Sequence, residues 1–229
     1  MKALVVVLLV LLGLAVVADR IGVAVAEDRV ADRIAAEGGL PGPPEVDITG
    51  FPFLTQAVAG RYDEVRISLT AADLGRPEGT GADVSLRGVE VPLSAVLSGS
   101  VDRVPVERID GTATLSYELI AAELGGGVTL AREGDGLRIS RTVQVFGQEV
   151  PLTAAGQVTL DGSDLVVDVD EAAGTEVDAP AVVVEQATDL LDLRYTVPAL
   201  PFGLELTAVT PADDGVMVDV EAVGAVLGG

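Results

Sequence analysis

The chain of 229 residues contains no cysteine, no histidine and no tryptophan, and aromatic residues make up only 3% of it. Without histidine there is no Ser-His-Asp or Cys-His relay and no HExxH zinc site. Without cysteine there is no disulfide framework, thiolate nucleophile, Fe–S cluster or cysteine-linked lipid anchor. Positive charge is also scarce: 14 Lys+Arg stand against 36 Asp+Glu, a net charge of −22, and Lys2 is the only lysine. That balance argues against a nucleic-acid partner, because phosphates are held by Lys and Arg. The motifs GxGxxG, GxxxxGK[ST] and GxSxG are missing as well. What remains is an unusual pairing of strong acidity with 49% hydrophobic residues and a mean hydropathy of +0.48, too apolar for a disordered chain.

Much of that hydropathy is local. Met1-Lys2 precedes an almost unbroken apolar run from Ala3 to Ala18, which Asp19-Arg20 ends. One positive charge followed by a short apolar stretch is the pattern of a secretory signal or an N-terminal anchor. At ~1.5 Å per residue the run falls somewhat short of the ~30 Å hydrocarbon core. Two small-x-small sites, Ala24-Val25-Ala26 and Val16-Val17-Ala18, are candidates for cleavage. Residues 1–26 are therefore read as a signal or anchor segment, and 27–229 as a single exported α+β domain.

Glu27 to Glu37 reads as a helix, with Val30, Ile34, Ala31 and Ala35 on one face, stopped by Gly38-Gly39 and Pro41. Most of the following chain has period two. Val65-Ile67-Leu69 and Val84-Leu86 alternate with polar residues, Val89, Val91 and Leu93 take the opposite phase, and the flip falls at Gly88, which predicts a β-bulge. Strands are expected over 104–109, 137–145, 149–160, 164–170, 204–208 and 216–220. A short helix is expected over Ser116–Leu124 and a longer one over Pro180–Leu193, capped by Asp178. Long antiparallel strands with one apolar face need a cover. The expected architecture is a long curled antiparallel sheet wrapped around two or three helices, leaving an apolar seam where a lipid could lie.

Carboxylates are the only plentiful ionisable groups. Asp168 and Asp170 share a strand face, but Asp164 extends that face and makes it a solvated surface. Asp161-Gly162-Ser163-Asp164 and Asp213-Asp214-Gly215 are explained by turn chemistry and lack the closing Glu of a calcium loop. No metal site, cofactor or catalytic residue is therefore expected. The scarce aromatics say more. Phe51 and Phe53 lie in Gly50-Phe51-Pro52-Phe53-Leu54-Thr55-Gln56, and Phe202 in Leu200-Pro201-Phe202-Gly203-Leu204. Such Pro/Phe segments either pack at strand ends, line the mouth of an apolar pocket or touch a membrane interface.

These segments carry a family likeness. Residues 48–58, Ile-Thr-Gly-Phe-Pro-Phe-Leu-Thr-Gln-Ala-Val, resemble the GFPFLTQ signature of the LmeA family of actinobacterial cell-envelope proteins. The likeness continues at Gly60 and Val65-Ile67-Leu69, and returns at Leu200–Leu204, Val209 and Asp214–Val218. It implies a non-enzymatic phospholipid binder outside the cytoplasmic membrane, with a fold related to tubular lipid-binding (TULIP-like) domains. It further implies phosphatidylinositol-type lipids and a part in envelope lipid or lipoglycan maintenance. On this reading Phe51, Phe53, Leu54, Leu200, Phe202 and Leu204 line the groove for acyl chains or its mouth. An anionic headgroup would need arginines near that mouth, and Arg61, Arg66, Arg138 and Arg141 lie on or beside expected strands. The competing readings are a membrane-anchored acidic scaffold that recruits envelope enzymes, and a carboxylate-dependent hydrolase of envelope glycans. The lack of tryptophan for sugar stacking weighs against the last.

Overall fold

The computed structural model describes residues 2–98, 101, 103–123, 127–145, 148–162, 164–171, 193–196 and 200–228. The expected helix over 180–193 lies outside them, except that Leu193 opens a strand. The side chains of Asp164, Asp168 and Asp170 lie outside as well.

The fold is α+β and antiparallel, as expected. It opens with helix α1 (Lys2–Gly38), 37 residues long and so about 55 Å. The charged pair at Asp19-Arg20 interrupts hydrophobicity but not helicity, because nothing from 19 to 37 is a helix breaker of proline's strength. The helix stops where Gly38-Gly39 predicts, with Gly39 at φ 61° and the Leu40 N–H donating to the Ala35 carbonyl.

Strands β1 (Glu45–Thr49), β2 (Arg61–Leu69), β3 (Gly81–Glu90) and β4 (Val104–Ser116) follow, separated by short helices α2 (Phe53–Ala59), α3 (Ala71–Leu74) and α4 (Leu93–Ser98). Helix α5 (Tyr117–Glu123) occupies the expected position, with the Ser116 hydroxyl accepting from the Leu119 N–H at 3.2 Å. The meander is β5 (Val128–Glu133), β6 (Gly136–Val145), β7 (Gln148–Asp161), β8 (Asp164–Glu171) and β9 (Leu193–Thr196). A 3-10 turn (Pro201–Gly203) leads into β10 (Glu205–Pro211) and β11 (Gly215–Leu227). One sheet has the order β1-β2-β3-β4-β11-β10, the other β5-β6-β7-β8-β9.

The chain gathers into two compact units. The first comprises Met1–Leu69, Asp83–Gly111 and Ala222–Gly229, the second Thr70–Ala82 and Thr112–Glu221. In the first, Val46 and Ile48 of β1 are buried while Glu45 and Asp47 are exposed, so this five-residue edge strand, which the sequence reading did not single out, alternates. The phase flip in β3 is real: Leu86 and Val89 are both buried, with Gly88 between them at φ 61°. A Cβ at Gly88 would collide with the Glu107 side chain. The expected alternation through Leu93 stops sooner, because β3 ends at Glu90 and Leu93 opens α4.

In the second unit, one face of β5, β6 and β7 supplies Leu130, Leu137, Ile139 and Ala154, which pack with Val216 and Val218 of β11. Tyr117 joins this cluster, and its hydroxyl donates to the Ala212 carbonyl at 2.7 Å. Gly215 is required by proximity, since a Cβ there would strike the Leu115 carbonyl.

Candidate functional site

The first Pro/Phe segment is a junction between α1 and α2. Helix α2 begins after Pro52, which offers no side chain to its free N–H groups. The missing acceptor comes from another helix: the Asp19 carboxylate accepts from the Leu54 N–H at 2.8 Å. Asp19 is only 2% exposed, and Arg20 pairs with its other oxygen at 2.7 Å. The same Arg20 guanidinium lies 5.3 Å from the centre of the Phe51 ring, within cation–π range. Gly22 faces the same junction, where a Cβ would sit in ordinary contact with Leu54 at 3.4 Å and Phe53 at 3.6 Å.

The rest of the signature serves the same junction. Gly50 has φ 100°, where L side chains are strained, and a Cβ would run into Gln56. The Thr55 hydroxyl donates to the Pro52 carbonyl at 2.7 Å. Buried Gln56 donates to the Thr49 carbonyl at 3.2 Å and accepts from the Asp63 N–H at 2.8 Å, tying β1 to β2 across the loop. Glu27 adds a second pin between α1 and the sheet by accepting from the Ile48 N–H of edge strand β1 at 2.9 Å. Replacing Asp19 with Ala leaves the Leu54 N–H and the Arg20 guanidinium without their partner. We expect a lower Tm in detergent and faster proteolysis within residues 50–60. An unchanged digestion pattern would show that the cap is dispensable.

The six residues expected to contact lipid have distinct surroundings. Phe53 is buried, its ring 6.1 Å from that of Tyr62. Burial also pushes the Tyr62 phenol above its ordinary pKa. Phe51 is 64% exposed and Leu54 42%. Val58, one turn beyond Leu54 on α2, is 76% exposed, and sequence reasoning did not single it out. Its spacing from Leu54 is the signal that a helical reading of this segment would have found. In the second unit, Leu200 and Leu204 are half-buried, while Phe202 is exposed and carries φ 60°, the left-handed region.

Helix α4 packs beside α2. The Val91 N–H donates to the carbonyl of Gly60, the left-handed cap of α2, at 2.9 Å. A depression of about 500 Å³ lies here, lined by Ala59, Gly60, Arg61, Glu90, Pro92, Arg103 and Pro105.

The arginines are mostly claimed by carboxylates. Arg61 pairs with Glu90 at 3.0 Å and Glu107 at 2.6 Å, Arg66 with Glu64 at 2.6 Å, and Arg138 with Glu133. Arg141 makes no ion pair shown among the described residues. Glu64 is a hub: the Ser85 hydroxyl donates to it at 2.7 Å and Arg87 lies 3.6 Å away. The Ser85 hydrogen bond, with Arg66 and Arg87, outweighs the opposing effect of burial and holds its carboxyl below the ordinary range. No group of three or more acidic side chains that could hold a metal is found among the described residues.

No curated protein and no solved structure matches the chain. At the level of families there is a match, the LmeA-like phospholipid-binding family, over residues 17–221. The matched span opens just before Asp19, takes in the α1–α2 junction and both Pro/Phe segments, and covers most of the 229 residues, so the chain belongs to the LmeA-like phospholipid-binding family.

Proposed function

We propose that the protein is a non-enzymatic phospholipid binder or carrier, attached by α1 to the outer side of the cytoplasmic membrane. Family membership supports the ligand class. The observation that carries the attachment is in α1: from Leu4 to Val17 its large apolar side chains are all at least 39% exposed, whereas its second half is docked on α2 through Asp19 and on β1 through Glu27. A helix apolar on every face gains nothing by facing water, and hydrocarbon is the solvent that suits it. Acyl chains would lie in an apolar groove, and the proposed lipid contacts are Phe51, Phe53 and Leu54 in the first unit and, separately, Leu200, Phe202 and Leu204 in the second. Each CH₂ withdrawn from water stabilises the complex by about 0.8 kcal/mol. A role in envelope lipid maintenance, and phosphatidylinositol-type lipids as cargo, belong to the same proposal.

Native mass spectrometry of the full chain, extracted in a mild detergent, tests the ligand. The expected result is a mass increment of one or more phospholipids, together with uptake of labelled phospholipid from liposomes. A bare chain that takes up no lipid would overturn the proposal.

A further inference from the structure

The junction of α1 and α2 fixes where an anchored chain meets its membrane. The apolar run ends at Ala18, and the next residue, Asp19, is hydrogen-bonded to the second residue of α2. Helix α2 has only seven residues, about 10 Å, so none of it can lie far from the end of the run. The headgroup layer on each side of the hydrocarbon is about 5–7 Å thick. The large side chains that α2 and its lead-in turn away from the protein are all apolar, Phe51, Leu54 and Val58, and the exposed polar one, Thr55, spends its hydroxyl on the Pro52 carbonyl. Helix α1 continues the pattern past Asp19, with Ile21 60% and Val25 44% exposed, four residues apart on one face, while Val23 on another face is buried.

We propose that this surface, Ile21, Val25, Phe51, Leu54 and Val58, is seated in the headgroup layer of the bilayer that α1 enters. The occupant is lipid, not a second protein, because the surface follows closely on the apolar run, its first member, Ile21, standing three residues after Ala18 on the same helix. Arg20 fits the same level: its stem is apolar, its guanidinium lies over Phe51, and phosphate groups are within reach of an interfacial arginine. Its charge is balanced by Asp19, so the seat carries no net charge. A chain of net charge −22 is repelled by anionic lipids, and an apolar, uncharged seat holds it at the surface without them. The inference rests on the anchoring of α1 proposed above and deepens it.

The absence of cysteine makes the test direct. Single-cysteine variants of the full chain, L11C, L54C, V58C and D32C, are spin-labelled and reconstituted in nanodiscs of zwitterionic phosphatidylcholine. Collision with oxygen, which concentrates in lipid, is compared with collision with a water-soluble nickel chelate. Asp32 is exposed on the same helix, about 20 Å beyond Asp19, and serves as the aqueous reference. The expected oxygen-to-nickel ratio is highest at position 11, several-fold above the reference at positions 54 and 58, and lowest at position 32. A lipid-like ratio at 11 with a reference-like ratio at 54 or 58 overturns the seat and leaves the anchor standing. Low collision with both probes at 58 also overturns it, since that marks a protein partner. A reference-like ratio at 11 overturns the anchor and the seat together.

Discussion

Replacing Ile139 with Ala is expected to destabilise the second unit by about 2–5 kcal/mol, the range for a buried isoleucine truncated to its Cβ. Ile139 is 1% exposed at the centre of β6, directly opposite Leu130 of β5 and Ala154 of β7. The geometry places the change toward the upper part of that range. Ala154 is fully buried and has no side chain that could swing into the space. Leu130, Val216 and Val218 are held by their own strands, so the cavity collapses only in part. Replacing Ile139 with Val removes one methylene and should cost about 0.5–1.5 kcal/mol. Native-state hydrogen exchange of the β5–β7 amides reads both changes. The Ala variant should exchange at least about thirtyfold faster, since each 1.4 kcal/mol is a factor of ten. Equal rates for the Ala and Val variants would mean that this cluster does not hold the sheet together.

The legibility of this region contrasts with that of the α1–α2 junction. Strands β6, β7, β8, β10 and β11 were readable because each of their sequences alternates between apolar and polar residues, and period two is a local property. Strand β1 was hidden by its length, five residues after a Pro/Gly stretch, although its burial alternates. Helix α2 was hidden for a different reason. Its N-terminal acceptor is Asp19, 35 residues away in sequence, and no local cap marks its start. Phe51 and Phe53 are the same residue type two positions apart, and only tertiary packing decides that one is exposed and the other lies against Tyr62. The signature was therefore visible as a motif, while its mechanical role was not.

The arginines show how composition reaches into the site. With 36 acids for 14 bases, most arginines on these strands find a carboxylate. Arg61 meets Glu90 and Glu107, Arg66 meets Glu64 of its own strand and Asp47 of β1, Arg138 meets Glu133, and Arg87 meets both Glu64 and Asp110. Such exposed pairs contribute little to stability, about 0–1 kcal/mol each, but they neutralise cations that an anionic headgroup would need. The acidity noted in the sequence thus acts on specificity through side-chain pairing as well as through long-range repulsion, which reaches only ~8 Å at physiological salt.

Replacing Leu8 and Leu11 together with Arg should move the full chain from the membrane to the soluble fraction. Both side chains are exposed on α1, 63% and 57%, and lie near the middle of the apolar run. An arginine near the centre of a membrane helix costs about 2.5–3.5 kcal/mol on insertion scales. Two of them cost about 5–7 kcal/mol, or three to five orders of magnitude in partition at 1.4 kcal/mol per factor of ten. The run has little reserve against this, since it spans about 24 Å of a hydrocarbon core about 30 Å thick. The fold should survive, because α1 is docked through Asp19, Val23, Glu27 and Ala31, all beyond the substituted turns. Flotation of membranes on a density gradient reads the partition, and circular dichroism of the recovered protein reads the fold. Asp32→Arg, on the docked half of the same helix, adds an arginine at an exposed position without touching the run and should still float. If the double variant floats with the membranes while Asp32→Arg does so equally, attachment does not depend on the apolar run. Phe51, Leu54 and Val58 would then have to supply it, and three side chains at an interface are too small a surface to hold a chain of this charge unaided.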